Sequence, residues 1–258
     1  MQHLNFKHYG ENGESLIILH GFLGTLDNWH TLSTKFSQHF NVYNIDQRNH
    51  GKSFHTQSHT IAEMVEDLLW FINQNNLKKV NIIGHSMGGK VAMQFSLSHA
   101  NLVQKLIVAD IAPRQYPKGH DDVFNAIFAV KLNEIKSRKD AEEMMLPYLP
   151  DFGVRQFILK NLERKEDGTF TWKMNLEVLQ KDYSEILKEV TTENPFMGEV
   201  LFLKGGNSRY LQEKDLPQIF KLFPNAKVQT IAEAGHWLHA EKPDEFYRAV
   251  IDFLNPIN

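Results

Sequence analysis

Apolar residues gather along this chain in six short runs. They are "LIILH" (16–20), "NVYNID" (41–46), "VNIIG" (80–84), "KLIVAD" (105–110), "VLFLKG" (200–205) and "AKVQTI" (226–231). Most are continuous rather than alternating, as expected for parallel strands covered on both faces. Between them the spacing changes. Ile61, Val65, Leu68, Leu69 and Ile72 recur every 3.6 residues and predict a one-faced helix. "MGGKVAMQFSLSHA" predicts another, with Val91 and Phe95 on one face. Strand alternating with helix argues for an α/β fold with a mostly parallel sheet, whose ligands bind at the carboxyl ends of the strands. "HLNFKHY" near the start reads as an antiparallel edge strand.

From Pro113 to Met197 this rhythm stops. Val123, Phe124, Ile127, Phe128, Leu132 and Ile135 suit a helix with a broad apolar face. "VRQFILKNLER" suggests a second helix, "KEDGTFTW" a turn, and "NLEVLQKDYSEILKEV" a last helix. No buried strand is signalled there. The expected organisation is a core of residues 1–112 and 198–258, with 113–197 inserted as a helical cap over the sheet.

Composition narrows the function. With 42% hydrophobic and 23% charged residues the chain fits an ordinary soluble globular protein. A net charge of −3, spread along the sequence, offers no basic patch for nucleic acid or an anionic membrane. No run approaches membrane-spanning length, and "MQHLNFKHYG" has no apolar leader, which sets the expectation of a cytoplasmic protein. The absence of cysteine removes disulfides, thiolate metal sites and a cysteine nucleophile. Oligomeric state is not readable.

The chemistry starts at Gly84-His85-Ser86-Met87-Gly88, a G-x-S-x-G at the turn from "VNIIG" into the following helix. That context suits a nucleophilic serine, because a side chain at 84 or 88 would crowd a tight strand-to-helix turn. The Met87 N–H, at the helix start, is placed to stabilise a negative oxygen. A serine hydroxyl needs a base. Of thirteen histidines, His236 stands in a loop after the last strand and before a proline-started helix. Its competitor His239 falls nearer the helix and reads as structural. His20-Gly21-Phe22-Leu23-Gly24 follows the first core strand, and the Phe22 N–H is the second oxyanion donor expected.

Six blocks in order then resemble the α/β-hydrolase superfamily, and within it the small bacterial YbfF-type esterases: "HGFLGTLDNW", "DQRNHGKS", "GHSMGGK", "DIAPRQY", "GGNSRY" and "GHWLHAEKP". The resemblance implies a serine esterase with short acyl esters and acyl-CoA thioesters as plausible substrates. One departure matters. Many family members carry the triad acid just after the strand matching "VLFLKG", where this chain reads Gly205-Gly206-Asn207-Ser208-Arg209. An amide orients an imidazole without stabilising its cation, and a comparable Asp-to-Asn change in a serine protease costs about 10⁴ in turnover. Asp110, ending "KLIVAD" at the sheet's carboxyl edge, is the acid expected, and the resemblance implies the same. The bland alternative is that Asp110 anchors the junction to the cap at Ala112-Pro113; Glu213 and Asp215 are weaker substitutes.

Asp46 and Ser53 in "DQRNHGKS" read as loop-holding residues, and Arg48 as either a substrate contact or an ion-pair partner. Phe124, Ile127, Phe128, Trp172 and Trp237 are pocket candidates, most of which also suit a cap core. No metal and no nucleotide cofactor is indicated, since neither H-E-x-x-H nor a phosphate-binding glycine motif occurs. The expected activity is hydrolysis of small acyl esters or thioesters through Ser86, Asp110 and His236. The alternatives are a lyase of the menaquinone-pathway type, whose acid normally follows the penultimate strand, and a hydrolase-fold protein that only binds a small molecule.

Overall fold

The computed structural model describes residues 3–254. Seven strands form one sheet in the order β1-β3-β2-β4-β5-β8-β9. These are β1 (Phe6–Tyr9), β2 (Ser15–Leu19), β3 (Asn41–Ile45), β4 (Val80–His85), β5 (Val103–Ala109), β8 (Glu199–Gly205) and β9 (Ala226–Ile231). All neighbours run parallel except β1, which pairs antiparallel with β3 through Phe6 opposite Ile45. The continuous apolar runs have the reason anticipated for them. Ile17, Leu19, Ile82, Leu106, Val108 and Phe202 pack on one face, and Leu16, Ile18, Ile83, Ile107, Ala109 and Leu203 on the other. Because side chains alternate faces, a strand buried on both sides needs an apolar residue at every position. The first face is covered by α2 (Ile61–Gln74), α3 (Met87–Ser98) and α9 (Leu216–Leu222), and the second by α1 (His30–Phe36), the single turn α10 (Leu238–Glu241) and α11 (Pro243–Leu254). α2 starts at a full capping box, in which Thr60 and Glu63 satisfy each other's backbone N–H.

Strand order reverses at β2, which pairs with β3 on one side and β4 on the other. The loops leaving β2 and β4 therefore diverge at their carboxyl ends and leave a crevice, the usual ligand position in such sheets.

Between β5 and β8 the chain forms α4 (Asp121–Ala129), α5 (Arg138–Met145), α6 (Phe152–Leu159), α7 (Leu176–Lys181) and α8 (Tyr183–Leu187). It also forms something the sequence reading lacked, an antiparallel hairpin of β6 (Leu162–Arg164) and β7 (Phe170–Trp172). "KEDGTFTW" thus supplies a turn and a strand. With three residues per strand and only Leu162 and Phe170 buried, no periodicity could have announced it. Three helices are also shorter than expected: α4 ends at Ala129, leaving Leu132 and Ile135 in the loop that follows, α6 stops before Asn161, and the last predicted helix breaks at Asp182 between α7 and α8. Asp182 is occupied elsewhere, its carboxylate accepting the His59 N–H at 2.8 Å. Val123, Ala126, Ile127, Met145, Ile158 and Leu179 give this segment a core of its own.

Lys90 fastens that segment to the sheet. Its ammonium, 1% exposed, donates to the carbonyls of Arg114 (3.0 Å), Leu187 (3.0 Å) and Lys188. These carbonyls lie on the two chain crossings between core and cap, so one side chain of α3 grips both. Burial and the nearby Arg114 push its pKa down to about 7, while three carbonyl acceptors favour the charged form. A Lys90→Met variant leaves three carbonyls short of a donor, and its free energy of unfolding in urea is expected to fall by at least about 2 kcal/mol.

Candidate active site

Ser86 occupies the turn between β4 and α3 with φ 51° and ψ −116°. That region is sparsely populated and costs about 1–3 kcal/mol for a residue with a Cβ. Tight packing imposes it. A Cβ at position 84 would lie 2.3 Å from the Gly88 carbonyl oxygen, and one at position 88 would lie 2.4 Å from the Leu19 carbonyl oxygen. The two glycines let the turn close against β2 and raise the serine hydroxyl at the crevice. The Ser86 N–H donates to the Ala109 carbonyl at 3.0 Å, which holds the turn to β5 as well.

Asp110, the residue after β5, also has a positive φ, of 50°. Its carboxylate is fully buried and accepts three hydrogen bonds: from the Gly205 N–H on Oδ1 (2.9 Å), and from the Ser208 hydroxyl and His236 Nδ1 (2.7 Å) on Oδ2. His236 Nε2 lies 3.1 Å from Ser86 Oγ. The three residues thus form one chain of contacts across the ends of β4, β5 and β9. The imidazole is fixed further by Tyr210, whose ring stacks on it at 3.7 Å between centroids, and by the bond between its own carbonyl and His85 Nε2 at 2.9 Å.

Opposite the hydroxyl lies the turn Gly21–Gly24, closed by the Gly24 N–H on the Gly21 carbonyl (3.0 Å), with Leu23 at φ 57°. Leu23 is pinned twice, its N–H donating to His50 Nε2 (3.2 Å) and its carbonyl accepting from the Asn161 amide (2.8 Å). His50 in turn donates from Nδ1 to the Arg48 carbonyl at 3.0 Å, and burial keeps that ring neutral. Phe22 stands at the tip of this rigid turn and Met87 at the first position of α3, whose N–H has no acceptor within the helix. Both line a cavity of about 430 Å³, a size suited to small molecules, that also takes in Ser86, His236, Tyr210 and Trp237.

Several candidates lie elsewhere. Of the five pocket candidates named from the sequence, Trp237 alone lines this cavity. Phe124 and Ile127 are buried in the packing of the cap, Trp172 packs against the same cap core from the hairpin, and Phe128 is 47% exposed. The apolar face of α4 is divided: Ala126 and Ile127 pack into the cap core, Phe124 joins the cluster on the sheet side, and Val123 reaches the cavity wall. Arg48 is an ion-pair partner, bonded to Asp67 through Nε (2.5 Å) and to Glu63 (3.0 Å). Asp46 accepts the Leu26 and Lys52 N–H groups and the Asn5 amide, holding loops. Asn207 faces away, with its amide on the Glu233 carbonyl. His239 is buried and stacks on Trp29 at 4.2 Å. Ser208 and Tyr210 are the site residues the sequence reading passed over. Both belong to "GGNSRY", a loop with no carboxylate and no periodic pattern to mark them. Among the described residues no group of three His, Asp or Glu is arranged to hold a metal, and no helix is long and apolar enough to cross a membrane.

Comparison with known proteins fits this geometry. The model of the alpha/beta hydrolase fold matches residues 14–243. The chain belongs to the α/β-hydrolase family. It is 41% identical to a putative esterase/lipase of Haemophilus influenzae, covering 95% of this chain and 84% of that protein. It is 36% identical to esterase YbfF of Escherichia coli, covering 95% and 94%. The sn-1-specific diacylglycerol lipase ABHD11 of Danio rerio is 38% identical, covering 98% and 83%. A marine microorganism esterase of known structure superposes with a TM-score of 0.95 at 44% identity, covering 98% of this chain and all of that one. This family member is an ester hydrolase.

The buried imidazoles make the hydrolase acid-sensitive. Burial, together with Arg48 at His59 and His236 at His239, pushes both rings down to about 3. An unfolded chain protonates them near 6.5. Their native pKa values are depressed, so this stability is complete above about pH 6.5 and is lost as pH falls toward 3. Between about pH 6.5 and 5 each ring is expected to remove about 2 kcal/mol. Urea midpoints across that range check it, and His239→Phe should show the smaller drop.

Proposed function

We propose that the hydrolase cleaves carboxylic esters, and thioesters of similar size, by a serine acyl-enzyme route. The chain of contacts from Asp110 through His236 to Ser86 at the cavity wall carries this reading. Ser86 Oγ attacks the ester carbonyl while His236 Nε2 takes its proton. Asp110, fixed by Gly205 and Ser208, holds the Nδ1–H and stabilises the imidazolium that forms. The oxygen that gains charge rests on the Phe22 and Met87 N–H groups, whose loops are locked before substrate arrives. His236 returns the proton to the departing alcohol or thiol. Water, activated by the same imidazole, then releases the acid.

The cap's apolar contribution to the cavity, through Leu149, Val154, Phe157 and Ile158, favours uncharged acyl chains. The diacylglycerol lipases among the relatives make glycerides worth including among the substrates tested. A lyase reading is disfavoured because no carboxylate follows β8 in the position that branch uses. A purely binding role leaves the strain at Ser86 without purpose.

Ser86→Ala should abolish turnover of p-nitrophenyl acetate and its acyl-enzyme burst. Asp110→Asn should lower kcat by about 10²–10⁴, the range of triad-acid losses. Asn207→Ala should stay near wild type. Turnover by Asp110→Asn close to wild type would remove Asp110 from the machinery.

A further inference from the structure

The cavity roof carries a polar pair that the acyl-transfer chemistry does not use. His120, at the N-terminal edge of α4, and Tyr183, the first residue of α8, both line the cavity. His120 Nδ1 and the Tyr183 hydroxyl are hydrogen-bonded to each other. The pair packs against the proposed oxyanion turn, with the Phe22 ring 6.0 Å from His120 and 5.4 Å from Tyr183 between centroids. It is also near enough to His236 for that ring's charge to oppose protonation of His120.

Chemistry fixes the direction of the bond. A phenol is the stronger acid and a neutral imidazole nitrogen the stronger base, so the tyrosine O–H donates and Nδ1 accepts. Burial keeps both groups neutral, raising the phenol's pKa and lowering that of the imidazole, so the phenol retains the proton it donates. A neutral imidazole that accepts at Nδ1 carries its hydrogen on Nε2. Among the described residues Nε2 makes no hydrogen bond, and His120 is only partly buried. Two other polar groups at this end are already bonded. Lys90 has its three carbonyls, and the Tyr116 hydroxyl binds the Tyr210 carbonyl and the Ala112 N–H.

We propose that His120, held in one tautomer by Tyr183, is a specificity-determining residue whose Nε2–H donates to a second oxygen of the substrate, selecting oxygenated esters over alkyl esters of equal size. The proposal rests on the Ser86-centred reading, since it needs the ester carbonyl at that hydroxyl. An ester with an ether, hydroxyl or carbonyl oxygen a few bonds from the cleaved bond satisfies the donor. A plain alkyl chain strips water from it and gives nothing back.

The test uses two pairs of esters that differ by one oxygen in place of a methylene. 2-Methoxyethyl butanoate against n-butyl butanoate probes the alcohol side, and methyl 4-methoxybutanoate against methyl hexanoate probes the acyl side. Each kcat/KM is divided by the ester's own hydroxide-catalysed rate. Wild type should prefer the oxygenated member of one pair by about three- to tenfold, the range of a single net hydrogen bond. His120→Phe should bring that ratio near one, Tyr183→Phe should lower it in part, and His120→Gln, which keeps an N–H, should retain most of it. Absence of preference in both pairs, or a preference unchanged in His120→Phe and Tyr183→Phe, overturns the proposal. Turnover of these esters by Ser86→Ala would instead overturn the serine-based reading, and wild type inert toward all four overturns both.

Discussion

A carboxylate with no access to water organises this protein. Burying the Asp110 charge unpaired would be prohibitive, so the chain must supply donors from every side. It does so from three places distant in sequence: the end of β8 through Gly205, the following loop through Ser208, and the loop after β9 through His236. Each donor is thereby fixed relative to β5. The imidazole that reaches Ser86 Oγ is held as a consequence of neutralising that charge, and stability and reactivity share one set of bonds.

The same economy governs the serine side. The turn at Ser86 is strained, and it persists because backbone from β2 fills the space a side chain at Gly88 would need. Close packing there also brings the Gly21–Gly24 turn against Ser86, where a Cβ at Gly21 would lie 3.2 Å from the serine Cβ. His50 and Asn161 pin Leu23 from the core and the cap respectively, so cap docking bears on the Gly21–Gly24 turn as well as on the cavity roof. Lys90, four residues beyond the serine, holds both crossings of the cap. The Ser86 turn and the crossings to the cap are therefore linked through four residues of α3.

Much of this was legible early. Buried parallel strands are written as apolar runs, because both faces need filling, and the runs fell within a residue or two of the observed strands. The glycines around Ser86 could be read because packing tolerates nothing larger. Asp110 could be chosen because the loop after β8 offered only an amide. The cap resisted the same treatment. Its three-residue strands are too short to show an alternation, the break at Asp182 answers His59, which lies 123 positions away, and the apolar face of α4 looks alike whether it packs inward or lines a cavity.

The sequence by itself determined the parallel α/β layering and singled out Ser86, His236 and Asp110, which the structure brings into contact, since each is a local matter of periodicity, turn chemistry or strand ends. Only the tertiary structure decided which side chains complete the site. Ser208, Tyr210 and the His120–Tyr183 pair make their contacts across 26 to 98 positions of chain, and such contacts leave no periodic trace. Distance in space, not spacing in sequence, gives a hydroxyl or an imidazole its partner.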